Sequence, residues 1–109
     1  MRNDIAAACS LTAVAVVLSL GAAADDANTI VQAGRSFRPA EIAINHGTTL
    51  NFSNQDEFIH QIFVDTPGFS YDSAEQSPGQ VFHIPFPSAG TFAVKCHIHP
   101  KMLLTVHVK

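Results

Sequence analysis

The chain divides into an apolar head and a body of short alternating segments. From Ile5 to Leu20 it is nearly free of polar groups. Beyond Asp26, apolar and polar side chains alternate over short stretches broken by Gly and Pro. A period of two marks half-buried strands, because successive strand side chains point to opposite faces. The pattern predicts strands over 29–32, 40–44, 49–53, 60–64, 80–86, 91–96 and 103–109. Residues 65–79, rich in Ser, Pro, Gly and acids, read as one long loop. No window carries a helical stripe. About seven short strands in one small domain predict an all-β antiparallel sandwich.

The head reads differently. Arg2, an apolar run of about 16 residues and the small residues Ala22-Ala23-Ala24 describe a secretory signal peptide cleaved after Ala24. The run is short of the roughly 20 residues that a spanning helix needs. The expected organisation is a signal peptide over 1–24 and a single domain over 25–109. Cys9 then leaves with the head, and the exported domain keeps one cysteine, Cys96. Exported domains pair their cysteines as disulfides. A lone thiol there needs an occupant, and a metal ion is one.

Composition sharpens this. With 6 Lys+Arg against 9 Asp+Glu and a formal charge of -3, nothing suggests nucleic-acid binding. Six histidines in 109 residues need an explanation. Strand phase sorts them. His83 is out of phase with Phe82, Ile84 and Phe86. His107 is out of phase with Val106 and Val108, and His46 sits in a turn beside Gly47. These three read as surface residues. His60 is in phase with Ile62 and Val64, Cys96 with Phe92 and Val94, and Met102 with Leu104, Val106 and Val108. All three point inward at strand ends. Each alone reads as core; together they read as a shared site.

The segment Cys96-His97-Ile98-His99-Pro100-Lys101-Met102 is C-x2-H-x2-M, three donors within seven residues. A thiolate, an imidazole and a thioether suit copper, and Cys with two His and a weak axial Met is the blue-copper set. Zinc would take the thiolate and imidazoles, but its structural sites prefer more Cys. The remaining donor must come from elsewhere, and His60 is the in-phase candidate. His97, if strand phase persists, points away from the metal. Asp56 and Glu57 read as a solvated turn, and Lys101 as a solvated rim charge that steers a partner.

Two blocks resemble a known family. Residues 54–62 (Asn-Gln-Asp-Glu-Phe-Ile-His-Gln-Ile) are similar to the segment that delivers the first His ligand in cupredoxins of the plastocyanin, pseudoazurin and amicyanin group. Residues 90–102 are similar to the strand and loop that deliver Cys, the second His and Met. The short H-x2-M spacing, with Pro after the His, looks most like amicyanin. The resemblance implies an eight-strand Greek-key sandwich with copper at one pole. It also implies roles: Cys96, His60 and His99 in the trigonal plane, and Met102 axial. There are departures. Ile98 stands where the family often has Pro, His97 where it has a small polar residue, and Leu104 where Gly is common. Gln61 replaces an Asn that ties the ligand loops together.

The expected function is single-electron transfer by a periplasmic type 1 copper protein. No substrate pocket is signalled, so a carrier is expected rather than an enzyme. Partners are expected to be redox proteins docking transiently near His99, Pro100 and Leu103, with the carrier monomeric and free of the membrane once the signal is cleaved. The alternative is a periplasmic protein that stores or delivers copper, toward which the surplus histidines lean. A third reading is an interaction module that holds no metal.

Overall fold

The computed structural model describes residues 27–109. The expected signal peptide and Cys9 lie outside the described residues. Nine strands follow one another: β1 (Thr29–Ala33), β2 (Ser36–Arg38), β3 (Glu41–Ile44), β4 (Thr48–Asn54), β5 (Ile62–Thr66), β6 (Phe69–Asp72), β7 (Val81–Phe86), β8 (Gly90–Cys96) and β9 (Leu103–Val108). They form two sheets, in the orders β2-β1-β4-β7 and β3-β9-β8-β5-β6.

The period-two pattern drives this arrangement. Leu50 and Phe52 of β4, Ile84 and Phe86 of β7, Phe92 and Val94 of β8, and Leu104 and Val106 of β9 are all buried between the sheets. Aromatic rings stitch the layers. Phe86 from one sheet meets Phe69 and Phe92 from the other, with centroids 5.1 and 6.2 Å apart. Within the first sheet the Phe37 and Phe52 rings make a T-shaped pair, with centroids 6.0 Å apart. Such pairs add about 0.5–1.5 kcal/mol beyond their burial.

The sandwich is as the sequence predicts, with three differences. First, the strands number nine. The chain turns at Gly34-Arg35 to add β2, and at Pro67-Gly68 to add β6 inside the stretch read as a loop. Gly68 takes a φ of 95°, which favours glycine. Second, the antiparallel expectation fails at two places: β1 runs parallel to β4, and β3 parallel to β9. The first-sheet contribution of β1 and the second-sheet contribution of β3 are brought together only by long connections, which local pattern does not reveal. Third, the strand expected over 60–64 begins at Ile62, and His60 instead makes an isolated bridge to Gln76.

One position in the frame depends on glycine. Gly90 opens β8 at φ 145°, and a Cβ there would lie 3.1 Å from the Phe92 ring. Gly90→Ala is expected to cost about 1–3 kcal/mol in chemical denaturation.

Candidate metal centre

Four segments meet at one end of the sandwich: the β1–β2 turn, the β4–β5 loop, the bridge at Gln76 and the β8–β9 loop. β5 and β8 are antiparallel neighbours, with Ile62 opposite Cys96. That register places His60, two residues before Ile62, beside the Cys96 thiol. His60 Nδ1 lies 3.6 Å from Cys96 Sγ and 3.2 Å from His99 Nδ1. These three donor atoms all fall within 4.8 Å of one another. His60 and Cys96 are buried, and His99 is half-buried at the rim.

Each donor is held from behind. The Gln61 backbone N–H donates to Cys96 Sγ at 3.3 Å. The Met102 backbone N–H donates to the His99 carbonyl at 3.0 Å, closing the loop into a tight turn. Met102 itself is buried, as its strand phase predicts. His60 pairs through its backbone with Gln76 in both directions, at 3.0 and 2.7 Å. Gln76 is anchored in turn by buried amides. Its Nε2 donates to the Phe52 and Gln80 carbonyls, both at 2.9 Å, and its Oε1 accepts from Gln32 Nε2 at 2.8 Å. Asn54 Nδ2 reaches the Gln76 and Phe58 carbonyls at 3.1 and 2.9 Å.

Asp56 closes the arrangement. Its carboxylate lies 2.8 Å from His60 Nε2. It also accepts the backbone N–H groups of Gly34 and Arg35 at 2.6 and 2.9 Å. Burial alone would raise the Asp56 pKa. The Arg35 amide, the His60 ring and the Gly34 amide outweigh it and hold the carboxyl below its ordinary value. An ionised carboxylate cannot donate, so His60 must donate from Nε2–H. The imidazole is thereby fixed in the tautomer whose Nδ1 lone pair faces Cys96 and His99. For His99, burial is the main cause that lowers the pKa, with His60 and the Arg35 guanidinium adding to it and Asp56 opposing. Its ring is therefore neutral near pH 7 and able to act as a ligand.

No family model matches the chain. Solved structures do resemble it. A purple cupredoxin from Nitrosopumilus maritimus is 24% identical with a TM-score of 0.66, covering 74% of this chain and 98% of that one. A reduced Cu(I) form, at pH 4, of a proline-to-glycine variant of amicyanin is 22% identical with a TM-score of 0.71, covering 78% and 84%. An oxidised proline-to-glycine variant of amicyanin is 22% identical with a TM-score of 0.70, covering 82% and 88%. The fold is that of the cupredoxins.

Within this cupredoxin fold the His60-Cys96-His99 group fits copper by its chemistry. One soft sulfur and two imidazoles in a compact, mostly buried cluster suit an ion that cycles between Cu(I) and Cu(II). Among the described residues it is the one group of three or more His, Cys, Asp or Glu side chains close enough to share an ion. The other histidines are dispersed and individually engaged. His46 Nδ1 meets the Lys109 carbonyl at 2.9 Å, His83 Nδ1 meets Asn51 Oδ1 at 2.6 Å, and His107 Nε2 meets Glu41 at 2.5 Å. His97 turns away from the cluster. Its ring stacks on Phe63 at 3.8 Å and 9°, and Nε2 meets Asp72 at 3.2 Å. Gln61 sends its side chain to the Ser73 carbonyl at 3.0 Å, so it tethers the segment after β6.

One sequence expectation is corrected. Asp56 is no solvated turn residue: its side chain is only 8% exposed and it joins two loops to His60. The one local signal is the four-residue spacing from Asp56 to His60; the Gly34 and Arg35 amides that Asp56 also accepts lie 22 and 21 residues away. Glu57 is exposed, as expected.

The Asp56 pairing has a pH consequence. A carboxyl whose folded pKa is depressed adds stability above its unfolded value. That stability is lost as pH falls through the folded value. Metal-free protein is therefore expected to lose stability below about pH 3.8, the ordinary Asp value. Urea midpoints for wild type and Asp56→Asn are expected to differ at pH 7 and to converge as pH falls below that value.

Proposed function

We propose that the chain is an exported, periplasmic electron carrier that holds one copper ion with His60, Cys96, His99 and Met102. The observation that carries this is the convergence of His60 Nδ1, His99 Nδ1 and Cys96 Sγ within 4.8 Å. The bound ion supplies the one-electron couple between Cu(I) and Cu(II). Cys96 would bind the ion as thiolate, with the Gln61 N–H donating to its sulfur. His60 is held by Asp56, and Met102, buried beside the loop, would supply a thioether. Cys96 ends β8, Met102 directly precedes β9 and His60 is bridged to Gln76, so three of these residues would be held in place around an ion.

The half-buried His99 is the ligand that faces solvent. Phe58 sets its ring against His99 and Ile98 shares its groove, and they are 36% and 41% exposed. An apolar surface of this kind suits brief docking between redox proteins. The N-terminal segment 1–24 supports export. The reading is a carrier, because the cluster supplies donors suited to a one-electron copper couple.

Storage or delivery of copper is the competing use of the same ligands. Cyclic voltammetry of the loaded protein, beside a Cu(I) chelator challenge, separates the two. A reversible one-electron wave that survives cycling while the chelator extracts copper slowly is expected. Rapid loss of Cu(I) to the chelator without a stable wave would overturn the carrier reading.

A further inference from the structure

The rim beside His99 has a charge of its own. A groove of about 440 Å³ is lined by Arg35, Ile98, His99, Pro100 and Lys101. Both charged groups on it are cations, although the whole chain carries a formal charge of -3. No carboxylate lines this groove. Asp56 faces inward and is committed to His60 and to two amides. Asp65 and Asp72 line a different groove, on the outer face of β5 and β6, beside His97. Glu57 is the one exposed acid in the β4–β5 loop.

Arg35 is placed with care. It sits in the β1–β2 turn at φ 55°, a left-handed conformation that is uncommon for a residue with a side chain. The hydrogen bonds from Gly34 and Arg35 to Asp56 hold that turn against the His60 loop. The Arg35 guanidinium thereby stands 4.4 Å above the Phe58 ring. Phe58 in turn sets its ring against His99, with centroids 5.8 Å apart. A cation over an aromatic face keeps its hydrogen-bond donors free at the edge. Arg35 and Lys101 therefore frame an apolar patch around the solvent-facing imidazole.

We infer that this pole docks a redox protein whose contact face is acidic, with carboxylates drawn to Arg35 and Lys101 and apolar side chains seated between them against His99. The inference rests on the copper-carrier reading and names the partner chemistry for it. Opposite charge steers encounter and fixes orientation, so its effect falls on association rate and on salt dependence. The acidic groove on the β5–β6 flank turns the wrong face away from the same partner.

Stopped-flow oxidation of the Cu(I)-loaded protein tests this with two small probes. Ferricyanide is an anion and tris(phenanthroline)cobalt(III) is a cation. In each case Cu(I) is oxidised to Cu(II) and the probe takes the electron. Lys101→Gln and Arg35→Asn remove one charge each, and Asn tolerates the left-handed turn. Lys109→Gln, at the far end of β9, is the control for net charge. Ferricyanide oxidation is expected to slow roughly fivefold in each pole variant, and the wild-type rate to fall with added salt. The cobalt reaction should not slow, and the control should change neither. Ferricyanide rates unchanged in both pole variants would overturn the inference. So would an equal slowing with both probes, which marks a disturbed site and no charge selection. The thiolate-to-copper band, recorded for every protein, tests the copper reading separately from the rates.

Discussion

Asp56→Ala is expected to weaken copper binding about 10–100-fold, measured by competition with a chelator of known affinity. The variant removes no donor atom. It strips the acceptor from His60 Nε2 and from the Gly34 and Arg35 amides together. His60 is then free to turn its ring or to carry its proton on Nδ1, the atom that faces Cys96 and His99. The β1–β2 turn also loses its hold on the ligand loop. An Asp56→Ala affinity within twofold of wild type would show that the buried backbone bridge to Gln76 positions His60 unaided.

Phe52→Ala is expected to give the largest loss of stability, about 3–5 kcal/mol. Phe52 is fully buried, lies opposite Phe82 in β7, and makes a T-shaped pair with Phe37. β4 also carries the acceptor of the network behind the metal site, because the Phe52 carbonyl binds Gln76 Nε2. The side-chain deletion leaves that carbonyl in place. A fall in Tm of roughly 12–40 °C is expected for the metal-free domain. Copper restores part of it, because a ligand that binds only the folded state stabilises by mass action. A fall of only a few degrees would mean that the core collapses around the missing ring.

Much of this arrangement was legible in the residues. Alternation found seven of the strands, because each has one face against the core and one against solvent. Phase separated inward His60, Cys96 and Met102 from outward His83, and it predicted that His97 faces away from the cluster. The spacing of Cys96, His99 and Met102 pointed to one loop, and in it the Met102 N–H closes a tight turn on the His99 carbonyl. What stayed hidden was set at long range. β2 is three residues long, and its pairing depends on a left-handed turn. β6 carries a short alternating Phe69-Ser70-Tyr71-Asp72 behind a Pro-Gly turn, a hairpin signal that the surrounding polar residues masked. The parallel pairings join strands that no local pattern connects. Asp56 looked like a turn residue because its partners include amides 22 and 21 residues away. Gln32, Asn54 and Gln76 are buried polar residues that only the assembled fold brings together.

The central claim is that Cys96 anchors a copper ion shared with His60 and His99. Titration of residues 25–109 with Cu(II), followed by visible absorption beside a Cys96→Ser control, tests it most directly. An intense thiolate-to-copper band that saturates at one copper per chain and is absent from the control is the expected result. Copper binding without that band, or an equal band in the control, would contradict the account.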